Sequence, residues 1–329
     1  MQGDFFLTQG IFLGMRWLYE VITNQHVVLT IIISTILIRG LTIFGDIKSR
    51  KSNMKMQAIQ PDLDKLKKKY ANNPQKLQQA QSKLMRERGV SMWGGCLPML
   101  ITMPLFFCFI AAFRQWGYEQ MVRLLIDLEQ NPGSMEMFST FKFLWVTNIW
   151  QPDVGHMKVI MDSSQFFAID NLQNLMYFAE NPAAKALFEQ WGFFVEKGVE
   201  ASQMAVDKYN SLIAPILAQY EGFANGWYVL PVLAGATTFL SSWAMQRRQK
   251  KTANTDADAG GAANAAQSTN KMMMYFMPAL SAFFCLSNNA AFAVYWTISN
   301  IVSFLTNLLI NRMFEKEQQK RDALEGGSI

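Results

Sequence analysis

The stretch VVLTIIISTILIRGLTIF, residues 27–44, decides the fold class. A run of about 18 or more apolar residues is what a helix needs to cross a hydrocarbon layer roughly 30 Å thick. This one carries a single charge, Arg39. Working outward, comparable runs occur at Trp93 to Phe113, Trp227 to Met245, Met272 to Leu286 and Ala290 to Ile310, the fourth being short unless its neighbours extend it. The composition points the same way: 50% of residues are hydrophobic and 17% charged, against about a quarter charged in an average soluble domain. The expected fold is all-α integral membrane, with five transmembrane helices.

Lysine and arginine collect in short loops on the cytoplasmic side, so their distribution orients the helices. Residues 46–93 hold twelve basic side chains against four acidic ones, and residues 247–271 hold five against two. The long segment 115–226 reverses the balance, with six basic and thirteen acidic residues. The pattern predicts an N-terminus outside and a C-terminus in the cytoplasm. The expected order is spans at 27–47, 93–114, 227–246, 272–288 and 289–311, a cytoplasmic segment 48–92, an exported region 115–226, a cytoplasmic loop 247–271 and a basic tail 312–329.

Residues 1–26 read as an exported interfacial amphipathic helix. Phe5, Phe6, Phe12, Leu13, Trp17, Leu18 and Ile22 are apolar, while Gln9, Arg16 and Glu20 interrupt them, a mixture suited to the plane of the interface. A cleaved signal peptide would call for a basic start and a small-residue cleavage site, and neither Met1-Gln2-Gly3-Asp4 nor Tyr19 to Gln25 supplies one. Segment 48–92 predicts a cytoplasmic helical hairpin broken at Ala71-Asn72-Asn73-Pro74, with Leu63, Leu66 and Tyr70 on one face of the first helix and Leu77, Ala80 and Leu84 on one face of the second. Thr252 to Thr269 has the composition of a flexible linker, and disorder is expected there. Residues 154–226 place Phe166, Phe167, Leu172, Leu175, Met176, Ala186, Leu187, Phe194 and Val195 at helical spacing, predicting several helices over the outer surface.

Polar residues inside the spans are the candidate site. A charge at the centre of a membrane helix costs about 2.5 to 3.5 kcal/mol on insertion scales, and Arg39 lies about 18 Å along its helix from Val27. Two readings stand: the side chain snorkels to the cytoplasmic edge, or it faces a wet cavity. Thr35, Arg39, Thr42 and Asp46 recur every three or four residues and share a helix face. Thr238 and Ser242, Thr237 and Ser241, and then Trp296, Asn300, Ser303 and Asn307, repeat the pattern in the third and fifth spans. Ordinary helix-helix hydrogen bonding accounts for any of these hydroxyls singly. An arginine with three polar seams points to a shared, positively charged pocket.

Other chemistries find little support. Cys96, Cys108 and Cys285 lie in apolar runs, and His26 and His156 show no metal-ligand spacing. No cofactor motif is evident. No His or Glu and no acid pair occupies a span, which speaks against an intramembrane protease. The remaining rival is a small-solute transporter or channel with an arginine-lined cavity; the absence of a detectable internal repeat weighs against it.

The chain resembles the YidC/Oxa/Alb family of membrane protein insertases. The resemblance runs through Ile38-Arg39-Gly40, Lys55-Met56-Gln57 with Gln60-Pro61, Gly94-Gly95-Cys96-Leu97-Pro98 to Met103-Pro104, Phe143-Leu144-Trp145 to Pro152-Asp153, Tyr228 to Thr237, Lys271 to Pro278, and Tyr295-Trp296-Thr297-Ile298-Ser299-Asn300. It implies five helices around a hydrophilic groove closed toward the outside, with Arg39 at its heart; Thr35, Thr42, Thr238, Ser242, Tyr295, Trp296 and Asn300 are the candidate residues for its walls. It also implies an insertase and chaperone of a bacterial cell membrane, without catalysis, acting on nascent membrane proteins; the basic loops and tail add the ribosome and anionic lipid as expected partners, while the sequence leaves partnership with a Sec translocon open. Family members often carry glutamine where this chain has Ser242, and residues 154–226 look like an insertion relative to the family.

Overall fold

The computed structural model describes residues 6–89, 97–252 and 262–326. Met1 to Phe5, the Trp93-Gly94-Gly95-Cys96 start of the second expected span and the middle of the expected linker, 253–261, lie outside the described residues. So does the side chain of Asp46. Among the described residues the architecture is helical, the one departure being an isolated antiparallel bridge between Phe143 and Val146.

Five helices are long: α2 (Val27–Ala58), α5 (Leu97–Gln130), α11 (Val229–Thr252), α12 (Ala262–Ser287) and α13 (Ala290–Gly326). They coincide with the five apolar runs, but by length and apolarity only Val27–Gly45 and Ala290–Ile310 qualify as candidate spans among the described residues. Val229–Ala244 and Met274–Ser287 are shorter apolar helices. The exposed apolar side chains along α2, among them Leu29, Ile36, Leu37, Leu41 and Phe44, form the surface that a lipid-solvated helix shows and a soluble core helix does not. α5 continues sixteen residues past the expected span end at 114. The linker expectation needs correction, because α12 begins at Ala262; four alanines among residues 262–266 favour helix once a long helix is there to propagate.

The described residues divide into two compact units. The first comprises Met1–Ser34, Phe106–Leu233 and Ala282–Tyr295. Here α1 (Phe6–Trp17) passes into a π turn, Leu18–Ile22. Its one cation, Arg16, is turned inward. Arg16 is largely buried against Glu20, Glu119 and Glu180, and Arg123 bonds Glu119 and Glu20. Burial pushes the Glu119 carboxyl above its ordinary value, against the opposing pull of Arg123 and Arg16. Phe6, Leu13, Trp17, Val21 and Ile22 are left exposed, an apolar face for a membrane interface.

Residues 154–226 have their own aromatic core. α7 (Ser163–Phe167), α8 (Met176–Glu180), α9 (Pro182–Gln190) and α10 (Gln203–Gln219) bring together Phe166, Phe178, Phe188, Phe193 and Tyr209, all fully buried. Phe166 stacks on Tyr209 at 4.6 Å, and the Tyr209 hydroxyl donates to the Met161 carbonyl at 2.7 Å. In α9 the buried positions are Ala184 and Phe188 rather than the expected Ala186 and Leu187, since one helix face can point only one way. Lys208 pairs with Glu129 at 2.6 Å, tying α10 to the end of α5.

The second unit comprises Thr35–Leu105, Ala234–Ser281 and Trp296–Ile329. Its hairpin is α3 (Gln60–Lys69) and α4 (Pro74–Glu87), with Asn73 capping α4 by accepting from the Lys76 N–H at 3.1 Å. Ile59 and Leu63 are buried against Leu84 and Met85, a small core for so charged an element.

Candidate functional site

The site lies in the second unit and begins with Arg39. Its guanidinium is half-buried and donates from Nε to the Ser299 hydroxyl at 3.0 Å, with Nη2 bonded to the same oxygen. Among the described residues no carboxylate lies within ion-pair range, so a neutral hydroxyl is the partner found for a full positive charge. Arginine has five N–H donors and no acceptor, so most of its bonding capacity remains open. Thr42, one turn on, donates its hydroxyl to the Arg39 carbonyl at 3.1 Å.

A second cluster centres on Thr238. Its hydroxyl donates to the Ala234 carbonyl at 2.7 Å, the usual outlet for a threonine in a membrane helix. It accepts from Asn300 Nδ2 at 2.8 Å and from the Trp296 indole N–H at 3.3 Å, and it lies 3.2 Å from Ser281 Oγ. Asn300 Nδ2 also reaches Thr237 Oγ1 at 3.3 Å. Three helices, α11, α12 and α13, are thus joined through one hydroxyl; the expected seams lay on α2, α11 and α13, and none of these bonds reaches α2.

The remaining expected residues divide. Ser242 is half-buried one turn along from Thr238. Thr35 is buried, and Tyr295, in the first unit, stacks on Phe109 at 4.7 Å beside Phe113; both side chains are packed rather than open to a passing ligand. Ser299 and Ser281 were not among the expected wall residues. Ser299 was within reach of sequence reasoning, because it follows Trp296 by three and precedes Ser303 by four. Ser281 is a lone polar residue in an apolar helix, the kind of signal that periodicity passes over.

A further polar centre belongs to the first unit. Asp153, 0% exposed, accepts backbone N–H bonds from Trp227 and Leu230, both at 2.6 Å, and the Trp145 indole N–H at 3.2 Å. Beside it Asn225 donates to the carbonyls of Asn148 and Pro152 and accepts from the Asn148 N–H. A Cβ on Gly226 would lie 1.9 Å from Asp153 Oδ1, so only glycine fits there.

Comparison with known proteins adds the lineage. A family model described as the 60Kd inner membrane protein matches residues 17–318. The chain belongs to that family. Similar relatives include the membrane protein insertase YidC of Clostridium perfringens, 38% identical over 126 residues, covering 38% of this chain and 45% of the relative. That of Clostridium tetani is 30% identical over 155 residues, covering 46% and 61%. That of Chlorobaculum tepidum is 25% identical over 310 residues, covering 94% of this chain and 36% of the relative. The chain therefore spans less than two thirds of the length of each of these family members. The matched range includes Arg39, Asp153, Thr238, Trp296, Ser299 and Asn300.

Proposed function

We propose that this chain is a membrane protein insertase. In this reading the five long helices carry five spans around a hydrophilic groove open to the cytoplasm and to lipid, with the N-terminus exported and the basic tail in the cytoplasm. The carrying observation is Arg39: a half-buried cation within the apolar stretch Val27–Gly45 that donates to a serine hydroxyl. An ionisable side chain at such depth is retained for a purpose. Its open donors suit the acidic groups of a polar segment on its way outward, and Thr238, Trp296 and Asn300 supply neutral polar wall.

A nascent chain's polar exported segment enters the groove, where the hydrocarbon path is shortened, and its apolar segment leaves sideways into lipid. Burying about 20 apolar residues drives the step, so no nucleotide hydrolysis and no bond cleavage is required. The basic hairpin and tail receive substrate, the ribosome and anionic lipid by electrostatic attraction, and a Sec translocon is a compatible neighbour.

The test is insertion of a single-span substrate with an acidic exported tail into reconstituted vesicles. Arg39→Ala lowers the yield and Arg39→Lys retains more of it; equal insertion by all three forms removes Arg39 from the mechanism. Saturable flux of a small anion through the same vesicles, without insertion, replaces this reading with a transporter.

A further inference from the structure

Two exposed apolar side chains of the first unit flank one hydrogen-bonded knot: Leu144 (64% exposed) and Trp227 (72%). Leu144 and Trp145 are the central residues of a two-residue turn closed by reciprocal bonds between Phe143 and Val146, at 2.9 and 2.8 Å. Leu144 has a φ of +52°, the left-handed conformation that the first central position of such turns reserves for glycine. A branched residue there costs roughly 1 to 2 kcal/mol. Its side chain returns little of that within the chain, since most of it is exposed.

The knot sets where Leu144 lies. The Asp153 carboxylate holds the Trp145 indole with one oxygen, and with both oxygens it holds the N–H groups that open α11. The Thr147 N–H donates to the Asn225 carbonyl at 3.1 Å. Leu144 and Trp227 thus sit on two segments pinned to one buried carboxylate. Trp227 precedes α11 by two residues, at most about 7 Å of chain, and Val232 and Leu233, the fourth and fifth residues of α11, are exposed and apolar. If α11 spans, covalent continuity puts Trp227 at the level where hydrocarbon gives way to headgroups, the level favoured by tryptophan. Lys142, exposed two residues from Leu144, is placed for a lipid phosphate.

We propose that Leu144 and Trp227 form a wedge that dips into the exported leaflet at the headgroup boundary, with Asp153 as its clasp. The wedge registers the exported region against the bilayer at the outer end of α11. The proposal rests on reading α11 as a span.

The experiment uses the full chain with Cys96, Cys108 and Cys285 changed to alanine. Single thiols from Leu144→Cys, Val199→Cys and Val232→Cys carry an environment-sensitive fluorophore. The host is phosphatidylethanolamine–phosphatidylglycerol vesicles containing lipid spin-labelled at a shallow or a deep acyl position. Val199, exposed in the exported insertion, reports the aqueous state, and Val232 reports the span. Quenching of the 144 label by shallow spin label at least about threefold above that of the 199 label is the expected result. A 144 label that behaves as the 199 label does, while the 232 label is quenched by deep lipid, overturns the wedge and leaves the span reading standing. A 144 label shielded from aqueous iodide yet unquenched by lipid overturns it in favour of a protein partner. An unquenched 232 label removes the span and the wedge together.

Discussion

Replacing Asp153 tests a buried carboxylate that ties three segments of the first unit together. The carboxylate accepts three donors, two of them backbone N–H groups at 2.6 Å. Hydrogen bonds to a charged group are worth about 1.5 to 3 kcal/mol each, and a buried donor left unpaired costs about as much. Leu230 is buried, so its N–H finds no water when the carboxylate goes; counting that loss in full and the other two in part gives about 3 kcal/mol for Asp153→Ala. At roughly 2 to 4 °C per kcal/mol for a domain of this size, the melting transition falls by about 6 to 12 °C. Asp153→Asn fares little better, because its NH2 group faces an N–H donor where an acceptor is needed. Differential scanning calorimetry of the full chain in detergent, with near-ultraviolet circular dichroism on the tryptophans, measures the shift. Gly226→Ala attacks the same contact from the other side, since its Cβ would meet Asp153 Oδ1. The double variant Asp153→Ala/Gly226→Ala loses about 1 kcal/mol less than the sum of the two. A shift under about 2 °C for Asp153→Ala, or strict additivity, refutes the clasp.

Thr238→Val keeps the shape of the side chain while removing the acceptor for Asn300 and Trp296; unfolding in mixed detergent micelles is expected to show a loss of about 1 kcal/mol. Thr237→Val, whose contact with Asn300 is 3.3 Å, loses less. The Asp162 carboxyl is held below its ordinary value by the Ser164 hydroxyl and the Gln165 N–H. A depressed carboxyl contributes stability that is complete above its unfolded value of 3.8 and fades as pH falls through the lowered folded one. Hydrogen exchange at Gln165 should therefore lose protection only below that range, and Asp162→Asn should flatten the profile.

Residues 27–44 and 290–310 announce their helices because hydropathy is a local property, and both emerge as long apolar helices. The hairpin break at Ala71 to Pro74 is legible for a similar reason, as Asn73 and Pro74 are cap and first-turn residues in their own right. The linker reading erred at Ala262 because an alanine-rich, weakly patterned segment takes its state from the helix it adjoins. The polarity of α1 was readable, but not the direction of its polar face, because the carboxylates that receive Arg16 come from Glu119 and Glu180, far away in the chain.

By itself the sequence determined the helical class, the two long apolar helices at Val27–Gly45 and Ala290–Ile310, the uneven distribution of charge along the chain and the single cation inside the first of those helices, all of which follow from composition and spacing along a single helix. Tertiary structure alone decided that the hydroxyl meeting Arg39 is that of Ser299, 260 residues on, that Thr35 and Tyr295 are packed away, and that Asp153 gathers Trp145 and Trp227. Such pairings depend on how separate helices and loops come together, and no periodicity within one element encodes the neighbour across from it.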